Sequence, residues 1–177
     1  TTSRLSLSIS YDRRNSFADP QSGYVLFGGF DLSNKLIASN FNFIQPKGYA
    51  AHFLRINSRL TLMNFVRAEG IQVFGNDTLT RDLKLYLGGD YTVRGFDEDS
   101  LGPMGADGLP AGGTLLLQAT SELQARLFGQ IKLAGFLDHG ALTNNFSELN
   151  QGPFRHSTGF GLRYITPVGP VRLDYGI

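Results

Sequence analysis

The sequence predicts an all-β fold, a transmembrane antiparallel up-and-down β-barrel of which about eight strands are present. Three observations carry that expectation. Apolar and polar residues alternate with period 2 along most of the chain, while helical periodicity is nearly absent. The connections between alternating segments are short and long in turn, as in barrels with tight turns at one end and large loops at the other. The mean hydropathy is slightly negative, and no stretch approaches the ~20 continuous apolar residues of a membrane helix. Strands that send apolar side chains to lipid and polar ones to a lumen average to such neutrality.

The first segment, 4–12, places Leu5, Leu7, Ile9 and Tyr11 on one face and Arg4, Ser6, Ser8, Ser10 and Asp12 on the other. Taken alone, that pattern fits a sandwich or a membrane barrel. A turn over 13–23 carries Asp19-Pro20 and Gly23 as breakers. A second strand is expected over about 24–32, then an excursion over 34–47 that ends near Pro46 and has room for extra strand. A third strand is expected near 50–61, a tight turn at Met63-Asn64, and a fourth strand over about 65–74. The glycine-punctuated stretch 75–113 is the most unusual region, because structureless loops of that length are uncommon in compact domains.

Alternation then returns clearly. Leu115, Leu117, Ala119, Ser121 and Leu123 oppose Gln118, Thr120, Glu122, Gln124 and Arg126. After a turn at Phe128-Gly129, Ile131, Leu133, Gly135 and Leu137 oppose Lys132, Ala134, Phe136 and Asp138. A loop over 140–155 leads to Phe160, Leu162 and Tyr164 opposing Gly159, Gly161 and Arg163. The turn Thr166-Pro167-Val168-Gly169-Pro170 precedes Val171, Leu173, Tyr175 and Ile177, which oppose Arg172, Asp174 and Gly176. The faces led by Leu115 and Ile131 carry no charge, as lipid contact requires.

Other classes find little support. The net charge is +1 without a basic run, so nothing points to nucleic acid. Cysteine is absent, which excludes a disulfide scaffold and thiolate metal sites. His52, His139 and His156 have no metal-ligand spacing. Asp138 and His139 are adjacent and would face opposite ways on a strand, so they make no catalytic dyad. Asp97, Glu98 and Asp99 lack the alternation of an EF-hand loop and read as a solvated tip. No catalytic residue, cofactor or metal is expected. The start lacks an initiator methionine and a signal segment, so the chain reads as an internal piece of something longer.

Three segments resemble the BamA/TamA outer-membrane insertase superfamily. Leu87-Gly88-Gly89-Asp90-Tyr91-Thr92-Val93-Arg94-Gly95-Phe96, continuing to Leu101-Gly102-Pro103, is similar to that family's Val-Arg-Gly-Phe loop motif. Gly159-Phe160-Gly161-Leu162-Arg163-Tyr164 through Asp174-Tyr175-Gly176 resembles its near-terminal hairpin. Asp12-Arg13-Arg14-Asn15 with Pro20 and Gly23 resembles one of its periplasmic turns.

The resemblance spans the whole chain, 1–177, as the C-terminal half of a barrel of about sixteen strands, with the final strand missing. It implies that the loop at about 75–113 is extracellular and folds inward. It also implies that Val93, Arg94, Gly95 and Phe96 lock that loop, with Glu122 and Asp138 as lumenal partners of Arg94. The bland alternative is a solvated loop arginine. Gly88, Gly89 and Gly95 are read as permitting a sharp return or as ordinary loop glycines, and Phe96 as a lumenal anchor or an exposed aromatic.

The implied function is folding and insertion of β-barrel proteins into the bacterial outer membrane. The implied partners are outer-membrane lipids including lipopolysaccharide, nascent barrel clients, and accessory lipoproteins or periplasmic subunits. Rival readings are a TamA-like or two-partner-secretion translocation barrel and a passive porin-type or structural barrel.

Overall fold

A computed structural model describes residues 2–177. Eight long strands follow one another in a single antiparallel sheet: β1 (Leu5–Asp12), β2 (Gly23–Ser33), β3 (Phe43–Arg55), β4 (Leu60–Gly70), β6 (Leu115–Phe128), β7 (Ile131–Thr143), β8 (Arg155–Thr166) and β9 (Gly169–Gly176). A two-residue strand, β5 (Gln72–Val73), pairs with the start of β3. The sheet is open, with β1 and β9 at its two edges. A short α-helix, α1 (Phe146–Leu149), lies between β7 and β8.

Burial is inverted relative to a water-soluble sheet. Leu133, Leu137, Leu162 and Leu173 are 43%, 50%, 46% and 73% exposed, whereas Lys132 and Arg163 on the opposite face are 3% and 2% exposed. Apolar side chains facing outward and ionised ones facing inward make a stable arrangement only where the outer surface meets lipid. The antiparallel meander puts the turns after β1, β3, β6 and β8 at one end and the connections after β2, β4 and β7 at the other. The β6–β7 and β8–β9 turns have two residues each; Gly129 supplies a positive φ in the first, and Gly169, at φ +133°, opens β9 directly after the Pro167-Val168 turn.

Several boundaries differ from the sequence reading. Met63 and Asn64 are mid-strand in β4; the turn lies at 56–59, where the Asn57 side-chain oxygen accepts the N–H groups of Arg59 and Leu60. Such Asx turns depend on a polar residue's local bonds, which periodicity does not register. β3 begins at Phe43 and runs through Pro46, which falls in the gap between the β4 and β5 pairings. An interruption in the ladder is where a strand tolerates a residue without an N–H. β7 continues to Thr143, shortening the loop expected over 140–155.

The long connection between Gly70 and Leu115 is ordered rather than structureless. It contains β5, a 3-10 turn at Arg81–Leu83, and bridges Leu85–Gly113, Leu87–Leu101 and Met104–Pro110. Its Leu83, Leu85, Leu87, Val93 and Leu101 pack on Phe43, Leu116 and Leu142 of the wall, forming the apolar core among the described residues. The loop is therefore a lining of the concave face.

Outward leucines in the middle of β7 should tolerate no charge. Leu137→Arg is expected to destabilise the folded barrel by roughly 2–4 kcal/mol, as at a bilayer midplane. Denaturant titration in phospholipid vesicles, beside Leu137→Ala as control, measures this.

Candidate functional site

Arg94 is carried into the concave face by the loop and is 5% exposed. Its Nε donates to Asp138 Oδ2 at 2.7 Å and one terminal nitrogen donates to Asp138 Oδ1 at 2.9 Å, a fork-to-carboxylate pair. The other terminal nitrogen donates to Glu122 Oε2 at 2.9 Å and reaches Asp174 Oδ2 at 3.4 Å. The Arg94 backbone N–H adds a bond to Asp138 Oδ2 at 3.2 Å. The guanidinium carbon lies 3.4 Å from the centre of the Phe136 ring, so the cation is also held against an aromatic face.

The expected partners Glu122 and Asp138 are thus brought together with Arg94. Alternation puts both on the lumenal face, from β6 and β7, where Thr120 pairs with Asp138 and Glu122 with Phe136. The structure adds members that the sequence reading did not assign. Arg163 from β8 donates to Glu122 Oε2 at 2.8 Å and to Asp174 of β9. The cluster therefore holds two guanidinium groups, from the loop and β8, against three carboxylates from β6, β7 and β9. The available signal was that Arg163 and Asp174 fall on the glycine-bearing polar faces of neighbouring strands.

Those glycines make the seat. A Cβ on Gly140 would stand 2.7 Å from a Val93 methyl and 2.8 Å from a Leu87 methyl. A Cβ on Gly159 would meet Phe136 Cζ at 2.4 Å, and one on Gly161 would strike the Asp174 carboxylate. Gly95, at φ +86°, lies against β9, where its Cβ would fall 2.8 Å from the Gly176 carbonyl carbon. Gly88 and Gly89, at φ +113° and +98°, turn the chain before the motif, and the Thr92 hydroxyl accepts the Gly88 N–H at 2.9 Å.

Val93 is fully buried in the apolar cluster, while Phe96 is half-buried at its edge. Asp97 and Glu98 are exposed. At the loop's outer tip, Asp107 accepts the Leu109 N–H and pairs with Arg81 at 2.6 Å, which holds its carboxyl below the usual range. His139 faces away from the lumen beside His156, on the side opposite Asp138.

A second ion-pair group lies towards the turn end. Asp19, in the β1–β2 turn, reaches across the concave face to Lys132 of β7 and to Arg126 of β6 at 2.8 Å. Gln124 joins the two groups, donating to Glu122 Oε1 at 2.9 Å and accepting from Lys132 at 3.1 Å. No local sequence signal marks Asp19, since its partners are more than a hundred residues away.

The whole of this chain, residues 1–177, matches the Omp85 superfamily domain. The chain belongs to the Omp85 superfamily. Barrels of that superfamily are bacterial outer-membrane proteins, which agrees with the inverted burial. Among solved structures the chain is similar in fold to the crystal structure of BamA from Haemophilus ducreyi lacking POTRA domains 1-3, with a TM-score of 0.82 and 20% identity. The match covers 98% of this chain and 38% of that one, so the chain spans well under half of its structural relative. In this Omp85 chain the seated loop is thus a feature of the barrel wall itself.

Removing one partner from a buried ion cluster strands the others. Arg94→Met is expected to destabilise the seated loop by about 3–5 kcal/mol, read as a lower temperature of heat-modifiable migration and as new protease cleavage within 75–113. Gly176→Val should unseat the loop similarly while leaving every charge in place. Asp19→Asn, which leaves Lys132 with a neutral partner, should lower the unfolding midpoint without exposing the loop to protease.

Proposed function

We propose that this chain is part of the barrel of an outer-membrane assembly factor that folds and inserts other β-barrel proteins. The observation that carries this reading is the loop held against the lumenal wall by Arg94, Glu122 and Asp138, in a member of the Omp85 superfamily. A passive pore requires an open lumen. Here the loop packs on the concave face of β6 to β9, beside a pocket of about 210 Å³ lined by Tyr91, Thr92, Gln118 and Arg172 among others.

The proposed activity needs no covalent chemistry, cofactor or nucleotide. A nascent barrel has unpaired backbone N–H and C=O groups that cannot enter lipid unsatisfied, so an edge that accepts a client strand by main-chain pairing lowers the barrier to insertion. The wall described here is the rigid side of such a machine, and the loop lock keeps it in shape while another part of the barrel opens. The proposed partners are nascent barrel clients, the surrounding outer-membrane lipids including lipopolysaccharide, and accessory lipoproteins or periplasmic subunits. Translocation of a polypeptide through the barrel, as in TamA-like or two-partner-secretion systems, is the alternative within the same superfamily.

The test is complementation. In cells depleted of the native protein, full-length Arg94→Glu is expected to leave outer-membrane porins at depleted levels, whereas wild type restores them. Normal porin levels with Arg94→Glu would refute the role of the lock. Normal porins in depleted cells, together with loss of a single secreted protein, would replace insertion with translocation.

A further inference from the structure

The loop lock uses no histidine, yet the sheet brings two of the chain's three together. His139 of β7 stands directly opposite His156 of β8 in the ladder. They are 17 residues apart in sequence, a spacing that belongs to no compact ligand motif. Directly opposed residues share one face of a sheet with their Cβ atoms about 5 Å apart. For this pair the face is the outward one, since the adjoining Asp138 and Ser157 are buried on the concave side. The two rings meet edge to face with centroids 4.7 Å apart. Their Nδ1 atoms point at each other within hydrogen-bonding distance.

The surroundings leave the pair accessible. His156 is exposed and His139 is half-buried. On the far side of His139 the register puts Ala119 of β6, whose single methyl leaves room beside the ring. Leu137 and Thr158 are the next outward residues towards the short-turn end, and neither is charged. The adjacent charged residues, Asp138 and Arg155, fall on the opposite face. His156 is the second residue of β8, so the pair lies near the long-loop end of the wall, where ions in water reach it.

We propose that His139 and His156 form a two-histidine clip for a divalent transition-metal ion, zinc or copper(II), on the outward face of the wall. In the metal-free protein a single hydrogen can lie between the facing nitrogens, donated by one ring and accepted by the other. A bound ion instead accepts a lone pair from each. Metal–nitrogen bonds of ~2.0–2.1 Å at a tetrahedral angle set the two nitrogens roughly 3.3 Å apart, which small ring rotations reach. Imidazole donors select zinc, copper or nickel over magnesium and calcium, which take oxygen ligands. No third histidine or carboxylate joins the two among the described residues, so water completes the coordination shell. The ladder already holds both side chains together, so little ordering is lost on binding. The bound ion cross-links β7 to β8, the strands that supply Asp138 and Arg163 to the lock. This inference does not depend on the insertion activity proposed above.

The experiment titrates the full-length protein, folded in phosphatidylcholine vesicles, with copper(II) alone and reads the site by electron paramagnetic resonance. Wild type should show two coordinated imidazole nitrogens. His52→Gln should show the same, because His52 stands opposite Tyr24 and Asn64 rather than another histidine. His139→Gln and His156→Gln should each weaken copper binding by roughly tenfold or more and remove the two-imidazole signature. Zinc should displace the copper, and a large excess of magnesium should not. A second measurement needs no variant: zinc should protect both His139 and His156 of wild type from diethyl pyrocarbonate, read by peptide mass spectrometry. A one-imidazole spectrum in wild type, unchanged copper binding in either variant, displacement by magnesium, or equal modification with and without zinc would each overturn the proposal.

Discussion

A guanidinium group withdrawn from water must be paired almost completely, and Arg94 meets that requirement through Asp138, Glu122 and the Phe136 ring. The geometry of the wall follows from it. The carboxylates must project from neighbouring strands at one height, which fixes the β6–β7 register, and Arg163 and Asp174 extend the requirement to β8 and β9. Glycine must occupy the positions between them, since any side chain there would collide with the loop or with the cluster. Arginine suits this place better than lysine because its planar fork satisfies two carboxylates at once.

The cluster is also a link in a longer arrangement. Gln124 connects Glu122 to Lys132, and Lys132 to the Asp19 turn, so polar contacts run from the long-loop end to the short-turn end along the concave face. The apolar packing of Leu85, Leu87 and Val93 against Phe43, Leu116 and Leu142 supplies area but little direction. The ion pairs supply the direction, fixing where the loop sits. This division of labour suits a membrane barrel, whose outward leucines are spent on lipid and cannot form an internal core.

The two ends of the sheet consequently carry different surfaces. The long-loop end presents an ordered cap with Asp82, Asp90, Asp97 and Glu98 exposed, while the short-turn end presents the exposed apolar side chains of Phe17, Ile56, Phe128 and Val168. Only the first of these is built around an interior lock.

Alternation along the chain set the inward and outward faces of the strands and put Glu122, Asp138, Arg163 and Asp174 on one polar side, and with the rhythm of short and long connections and the family motifs it pointed to the fold class. Period 2 is a local property of an extended backbone, and it survives in the sequence wherever one face meets lipid. The Val93–Phe96 motif marked the loop that supplies the lock. Strand ends near Asn57 and Pro46 were not legible, because an Asx turn and a gap in the ladder depend on local bonds and on neighbouring strands. The joining of Asp19 to Lys132, the two-arginine form of the cluster, and the close approach of Gly95 to Gly176 were decided only in three dimensions. Each unites residues from distant parts of the chain, and sheet curvature, which no local pattern encodes, determines which of them meet.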